Sequence, residues 1–160
     1  KNIAEATSCV EGLQVIIKIR PGPATENFFK RSLEETFGEK CQIAQYENLH
    51  ELISIANVVA SSFSTVILET MIAGKPIILV GTDKDDLMLM ESHFLPYEKV
   101  QALRIARTKD ELVQYARVLA SNPDESAILV RNASNFLEEN FCFDGKSAER
   151  MTVFLETLRK

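Results

Sequence analysis

Tryptophan is absent from this 160-residue chain, and histidine is nearly so, with only His50 and His93. Cysteine occurs three times, at Cys9, Cys41 and Cys142. An odd number of widely spaced cysteines argues against a disulfide framework and against a zinc site, and points to a reducing compartment. The two histidines leave little room for Ser–His hydrolysis. His50 falls inside a helical apolar pattern and reads as structural, and His93 has no G-x-S-x-G or comparable nucleophile setting. No G-x-G-x-x-G follows the first strand and no G-x-x-x-x-G-K-[ST] exists, which excludes a dinucleotide fingerprint and a P-loop. No run approaches the roughly 20 apolar residues of a membrane span. A net charge of −5 argues against non-specific nucleic-acid binding and a polybasic membrane anchor. There is no initiator methionine, so the chain reads as a fragment or a trimmed piece.

What is present is ordinary globular composition, 46% apolar and 26% charged, sufficient for one domain with its own core. The organising stretch runs from Asn57 to Val80. Asn57 to Ala60 is predicted to be a strand buried on both faces. Ser61, Ser62, Ser64 and Thr65 then end the strand and start a largely buried helix over Val66 to Ala73. Gly74 suits the left-handed closing position, Pro76 prevents continuation, and Ile77 to Val80 is a second buried strand. A helix N-terminus at the carboxyl end of a parallel strand suits phosphate. At about 100° per residue, Ser62, Thr65 and Glu69 fall on one stripe, and a carboxylate there could take the two hydroxyls of a ribose. Plain capping by the serines and a structural ion pair at Glu69 is the competing interpretation.

Around this unit, helix is predicted at Lys1 to Glu11 and Glu26 to Phe37, and strand at Gln14 to Ile19 and Cys41 to Gln45. Arg20-Pro21-Gly22 ends the first strand, and Arg20 there could clamp phosphate. Asn48 with Glu51 starts a helix. Leu87 to His93 reads as a short helix in an irregular segment ended by Pro96. Val100 to Ala106 reads as the last strand. Thr108 with Glu111, Asn122-Pro123, and Asp144-Gly145-Lys146 start three more helices. The alternation predicts an α/β fold: an open, doubly wound parallel sheet with extra C-terminal helices. Ligands bind such sheets beyond the carboxyl ends of the strands. Four segments meet that condition: Arg20 to Gly22, Gln45 to Asn48, Ser61 to Thr65, and Gly81 to Asp86. Asp83, Asp85 and Asp86 could hold Mg²⁺ through phosphate oxygens, although an acidic loop is usually just solvated. In the last helix Met151, Phe154, Leu155 and Leu158 form an apolar stripe, expected to pack on this domain or on a second copy as a homodimer.

The run NLHELISIANVVASSFSTVILETMIAGKPIIL and the late DGKSAER (Asp144 to Arg150) resemble the C-terminal domain of GT-B-fold glycosyltransferases. The pattern is most similar to CDP-glycerol glycerophosphotransferases and bacterial surface-polysaccharide transferases. The resemblance implies a Rossmann-like half over residues 1–160 that binds a nucleotide-activated donor, with an N-terminal acceptor domain missing. Arg20, Pro21, Gly22, Ser61, Ser62, Ser64 and Thr65 would hold donor phosphates. Glu69 would hold the ribose, and Gln45, Tyr46 and Asn48 the base. The relatives often carry His-Pro where Arg20-Pro21 stands here, and arginine cannot act as a neutral acid or base. The implied activity is transfer of a sugar or polyol phosphate from a nucleotide carrier to a glycan or lipid-type acceptor, with no resident cofactor or metal. The implied setting is the cytoplasm or the inner membrane surface, in polysaccharide biosynthesis. A UDP-sugar 2-epimerase-like enzyme and a non-catalytic binding or assembly module of the same fold remain as alternatives.

Overall fold

A computed structural model describes residues 12–19, 22, 41–81 and 84–158. The helices expected at Lys1 to Glu11 and Glu26 to Phe37 lie outside these residues. In chain order the strands are β1 (Val15–Lys18), β2 (Cys41–Ala44), β3 (Val59–Ser61), β4 (Ile77–Val80) and β5 (Arg104–Ala106). The helices are α1 (Leu49–Ile55), α2 (Val66–Ile72), α3 (Lys84–Lys99), α4 (Lys109–Ser121), α5 (Pro123–Asn140) and α6 (Ser147–Thr157). Among the described residues all strand pairing is parallel, in two sheets: β1 with β2, and β3-β4-β5 with β4 in the centre.

The centre of the fold is β4, all four residues of which are buried. Alternation sends Ile77 and Leu79 to one face and Ile78 and Val80 to the other. The first pair joins Ile67 and Met71 of α2, Met90 of α3 and Leu137 of α5. The second pair joins Leu112, Ala116 and Leu119 of α4 and Leu129 of α5. Each fully buried Ile or Leu contributes about 1.5–3 kcal/mol relative to exposure. The sheet is therefore covered on both faces, as a doubly wound α/β fold requires.

Local chemistry sets the element ends. Asn48 Oδ1 accepts from the His50 and Glu51 amides at 2.9 and 3.4 Å and starts α1. Asn122 Oδ1 does the same for Asp124 and Glu125, with Pro123 in the first turn of α5. Thr108 Oγ1 accepts from Glu111 N at 3.1 Å, and Glu111 Oε2 reaches back to Arg107 N at 2.6 Å. After α2, Gly74 takes φ +66°, which turns the chain sharply into β4.

Four expectations need correction. β3 begins two residues later than predicted and is not buried on both faces, because Ala60 is exposed. The short helix before Pro96 is a 16-residue helix that continues through it. Pro96 has no N–H for the Ser92 carbonyl, but Phe94 and Tyr97 on either side are packed against the core. Tertiary burial there outweighs the local break. The last strand shrinks to Arg104–Ala106, since 100–103 forms the turn out of α3. Finally, α6 buries no residue: Met151, Val153, Phe154, Leu155 and Leu158 are each more than half exposed. The expected packing of this stripe on the domain itself is not found.

Candidate functional site

The seryl loop follows directly from β3. Ser62, Phe63 and Thr65 are exposed, and Ser61 and Ser64 are half-buried, so no core side chain covers the segment. Ser61 Oγ donates to Ser62 O at 3.0 Å, and Ser64 Oγ accepts from Val66 N at 3.3 Å. Thr65 stands at the cap of α2 without a side-chain capping bond. Because α2 begins at Val66, Ser62 lies outside the helix. The three-residue stripe predicted for Ser62, Thr65 and Glu69 therefore reduces to Thr65 and Glu69, one turn apart. Phe63 ties the loop to α3, with its ring edge-on to His93 at 5.4 Å and to Phe94 at 5.5 Å. Spacing alone gave no sign of this anchor. His93 Nδ1 lies 2.8 Å from Ser92 Oγ and 2.9 Å from Leu89 O.

The start of α1 lies close to Glu69. His50, the second residue of α1, places Nδ1 3.8 Å from Glu69 Oε2. Its side chain is 76% exposed, against 34% for Glu69, so the structural reading of His50 gives way to a surface position facing α2. Gln45 and Tyr46 are neighbours in sequence but differ in exposure. Gln45 is 8% exposed, and its Nε2 has no hydrogen-bond partner among the described residues; Tyr46 is 72% exposed. Lys18 Nζ donates to the Gln45 carbonyl, and to Ile19 O at 3.2 Å, which ties the turn to the end of β1. Hydrogen bonds from the turn's backbone, chiefly its own N–H, hold the exposed Glu47 carboxyl below the usual carboxylate range.

Other predicted residues are scattered or undescribed. Arg20 and Pro21 lie outside the described residues, and Gly22 is half-buried. Asp83 is likewise outside them; Asp85 and Asp86 occupy the first turn of α3. Among the described residues no three His, Cys, Asp or Glu side chains form a group able to hold a metal ion. A Cβ at Gly81 would meet Leu87 Cδ2 at 2.2 Å, so the Leu87 side chain would have to shift to admit one.

Arg107 follows β5 and is already engaged. Nε lies 3.0 Å from Glu91 Oε1 and Nη2 lies 2.8 Å from Glu98 Oε2. The Arg107 bond pulls the Glu98 carboxyl below its usual range, and Glu98 in turn raises the Arg107 guanidinium. This cluster joins α3 to the end of β5 and leaves Arg107 poorly placed to clamp a phosphate. A groove of about 280 Å³ opens on the other side of Glu98, lined by Glu98, Arg104, Gln114, Tyr115, Val118 and Glu125 among others. Arg104 shares its charge with Glu125 at 3.7 Å, and two carboxylates on the wall disfavour an anionic ligand.

No helix among the described residues is long and apolar enough to cross a membrane. No curated protein matches the chain. Among solved structures, HepE from Anabaena in complex with UDP-glucose superposes with TM-score 0.70 at 15% identity, over 95% of this chain and 44% of that one. The same protein in complex with UDP gives 0.68 with the same identity and coverage. A Listeria monocytogenes protein assigned as a UDP-N-acetylglucosamine 2-epimerase gives 0.65 at 15% identity, over 98% of this chain and 39% of that one. The chain thus spans less than half the length of each. These likenesses establish the Rossmann-like fold of a GT-B half. The family model for CDP-glycerol:poly(glycerophosphate) glycerophosphotransferase matches residues 5–157, and the chain belongs to that family.

Proposed function

We propose that the chain is the donor-binding half of a transferase that moves a sugar or polyol phosphate from a nucleotide-activated donor to a glycan or lipid-type acceptor. The observation that carries this reading is the approach of α1 to Glu69 of α2, beside an uncovered seryl loop. His50 follows the base-side residues Gln45, Tyr46 and Asn48 in sequence, and Glu69 follows the seryl loop, so this contact supports a site shared by base, ribose and phosphate. In this reading the loop amides and hydroxyls hold the diphosphate, and Glu69 takes the ribose diol. Tyr46, exposed where Gln45 is buried, offers an aromatic face to the base. Asn48 spends its carboxamide oxygen on α1, which leaves Nδ2 for a ligand. Catalysis then rests largely on stabilising the leaving diphosphate, with Arg20 as the expected cation. The acceptor and the general base belong to a further domain.

The family membership supports a CDP-linked donor, and the UDP and UDP-glucose bound in the Anabaena structures support a UDP-linked one. A thermal-shift series with UDP, CDP, CMP, GDP and ADP discriminates between them. One nucleoside diphosphate should raise the melting temperature in a concentration-dependent way, because binding to the native state stabilises by mass action. No shift with any of the five at millimolar concentration would refute the donor role.

A further inference from the structure

We infer that His50 is a positioning residue for ribose recognition, acting through Glu69. This rests on the donor-binding reading and extends it to a residue outside the expected site. His50 is two positions from Asn48 and four from Tyr46, so it stands between the base-side turn and the ribose-side carboxylate. Its Nδ1 lies 3.8 Å from Oε2 of Glu69. That distance exceeds a direct hydrogen bond but lies within charged-pair range, and an imidazole can present an N–H there in either charge state. An interaction with this carboxylate biases the orientation that Glu69 offers to a hydroxyl. Glu69 otherwise has a rotatable, one-third exposed side chain that must lose that freedom on binding. A partner that restricts it beforehand strengthens the ribose contact without touching the ligand.

A positioning role predicts a change in sugar discrimination, which a purely structural contact would leave alone. Affinities of the 160-residue chain for UDP, CDP and their 2′-deoxy forms are measured by calorimetry, for the wild type, His50→Ala, His50→Gln and Glu69→Ala. The wild type should prefer the ribose form about tenfold or more, the scale of one hydrogen bond to a charged group. Glu69→Ala should abolish the preference. His50→Ala should reduce it to about threefold or less at an unchanged melting temperature, while His50→Gln, which retains an N–H donor, restores most of it. An unchanged ribose-to-deoxy ratio in His50→Ala overturns this inference alone. A wild type that binds both sugars equally removes the ribose role of Glu69 and the inference with it. Binding of neither nucleotide overturns the donor reading itself.

Discussion

Glu69 differs from its surroundings on α2. Ile67, Thr70 and Met71 are buried, and Thr70 returns its hydroxyl to Val66 O at 2.7 Å. Glu69 remains one-third exposed beside His50, with no lysine or arginine paired to it among the described ion pairs. A structural carboxylate on an otherwise apolar helix would be expected to have such a partner. Glu69→Ala should therefore leave the melting temperature close to wild type and cost about 1.5–3 kcal/mol of nucleotide affinity, the range for a hydrogen bond to a charged group. Thermal unfolding and calorimetry on the same samples check this. Lost stability with unchanged affinity would return Glu69 to the structural interpretation.

The last helix shows the clearest element-scale behaviour. With no buried side chain, α6 is held at its start by a local device. Asp144 accepts from Lys146 N at 2.9 Å, and both of its oxygens lie 2.7 Å from Arg150 Nη1. Gly145 makes the turn between them at φ +74°. The Arg150 bonds hold the Asp144 carboxyl at about 2, below an ordinary aspartate near 3.9. A depressed folded value means that the stabilisation is complete above about pH 4 and is lost as pH falls through about 2. NMR titration of Asp144 should therefore place its midpoint near 2 in the wild type and closer to 4 in Arg150→Gln, with α6 amide signals following. Coincident midpoints would show that the pair does not form in solution. DGKSAER is legible as a helix start because the Asp-Gly turn is local chemistry, as are the side-chain caps at Asn48, Thr108 and Asn122, although Lys146 at the cap of α6 makes no side-chain capping bond. What the apolar stripe of α6 packs against is not legible, because periodicity shows that a face is apolar and not what covers it. Pro96 and His50 depart from their sequence expectations for a related reason. Packing by Phe94 and Tyr97, and the approach of α2 to α1, are tertiary facts with no local signature.

At the scale of the whole molecule, β4 carries the domain. Its two buried faces require helices on both sides, and parallel pairing of β3, β4 and β5 puts their carboxyl ends together. The seryl loop and the start of α3 both emerge from those ends. That much follows from alternating strands and helices. The separation into two sheets among the described residues does not, since pairing partners are set by tertiary contacts. The groove beside α4 and α5 is a concave surface with carboxylates on its wall. The central claim is thus a claim about location. It is tested most directly by titrating the isotopically labelled chain with the nucleoside diphosphate that stabilises it best and mapping amide shift changes by NMR. The donor account predicts the largest changes at Ser61 to Thr65, at Glu69 and from Gln45 to His50, with little change at Gln114, Tyr115 or Glu125. Changes centred on those last three residues, with the seryl loop unaffected, would contradict it.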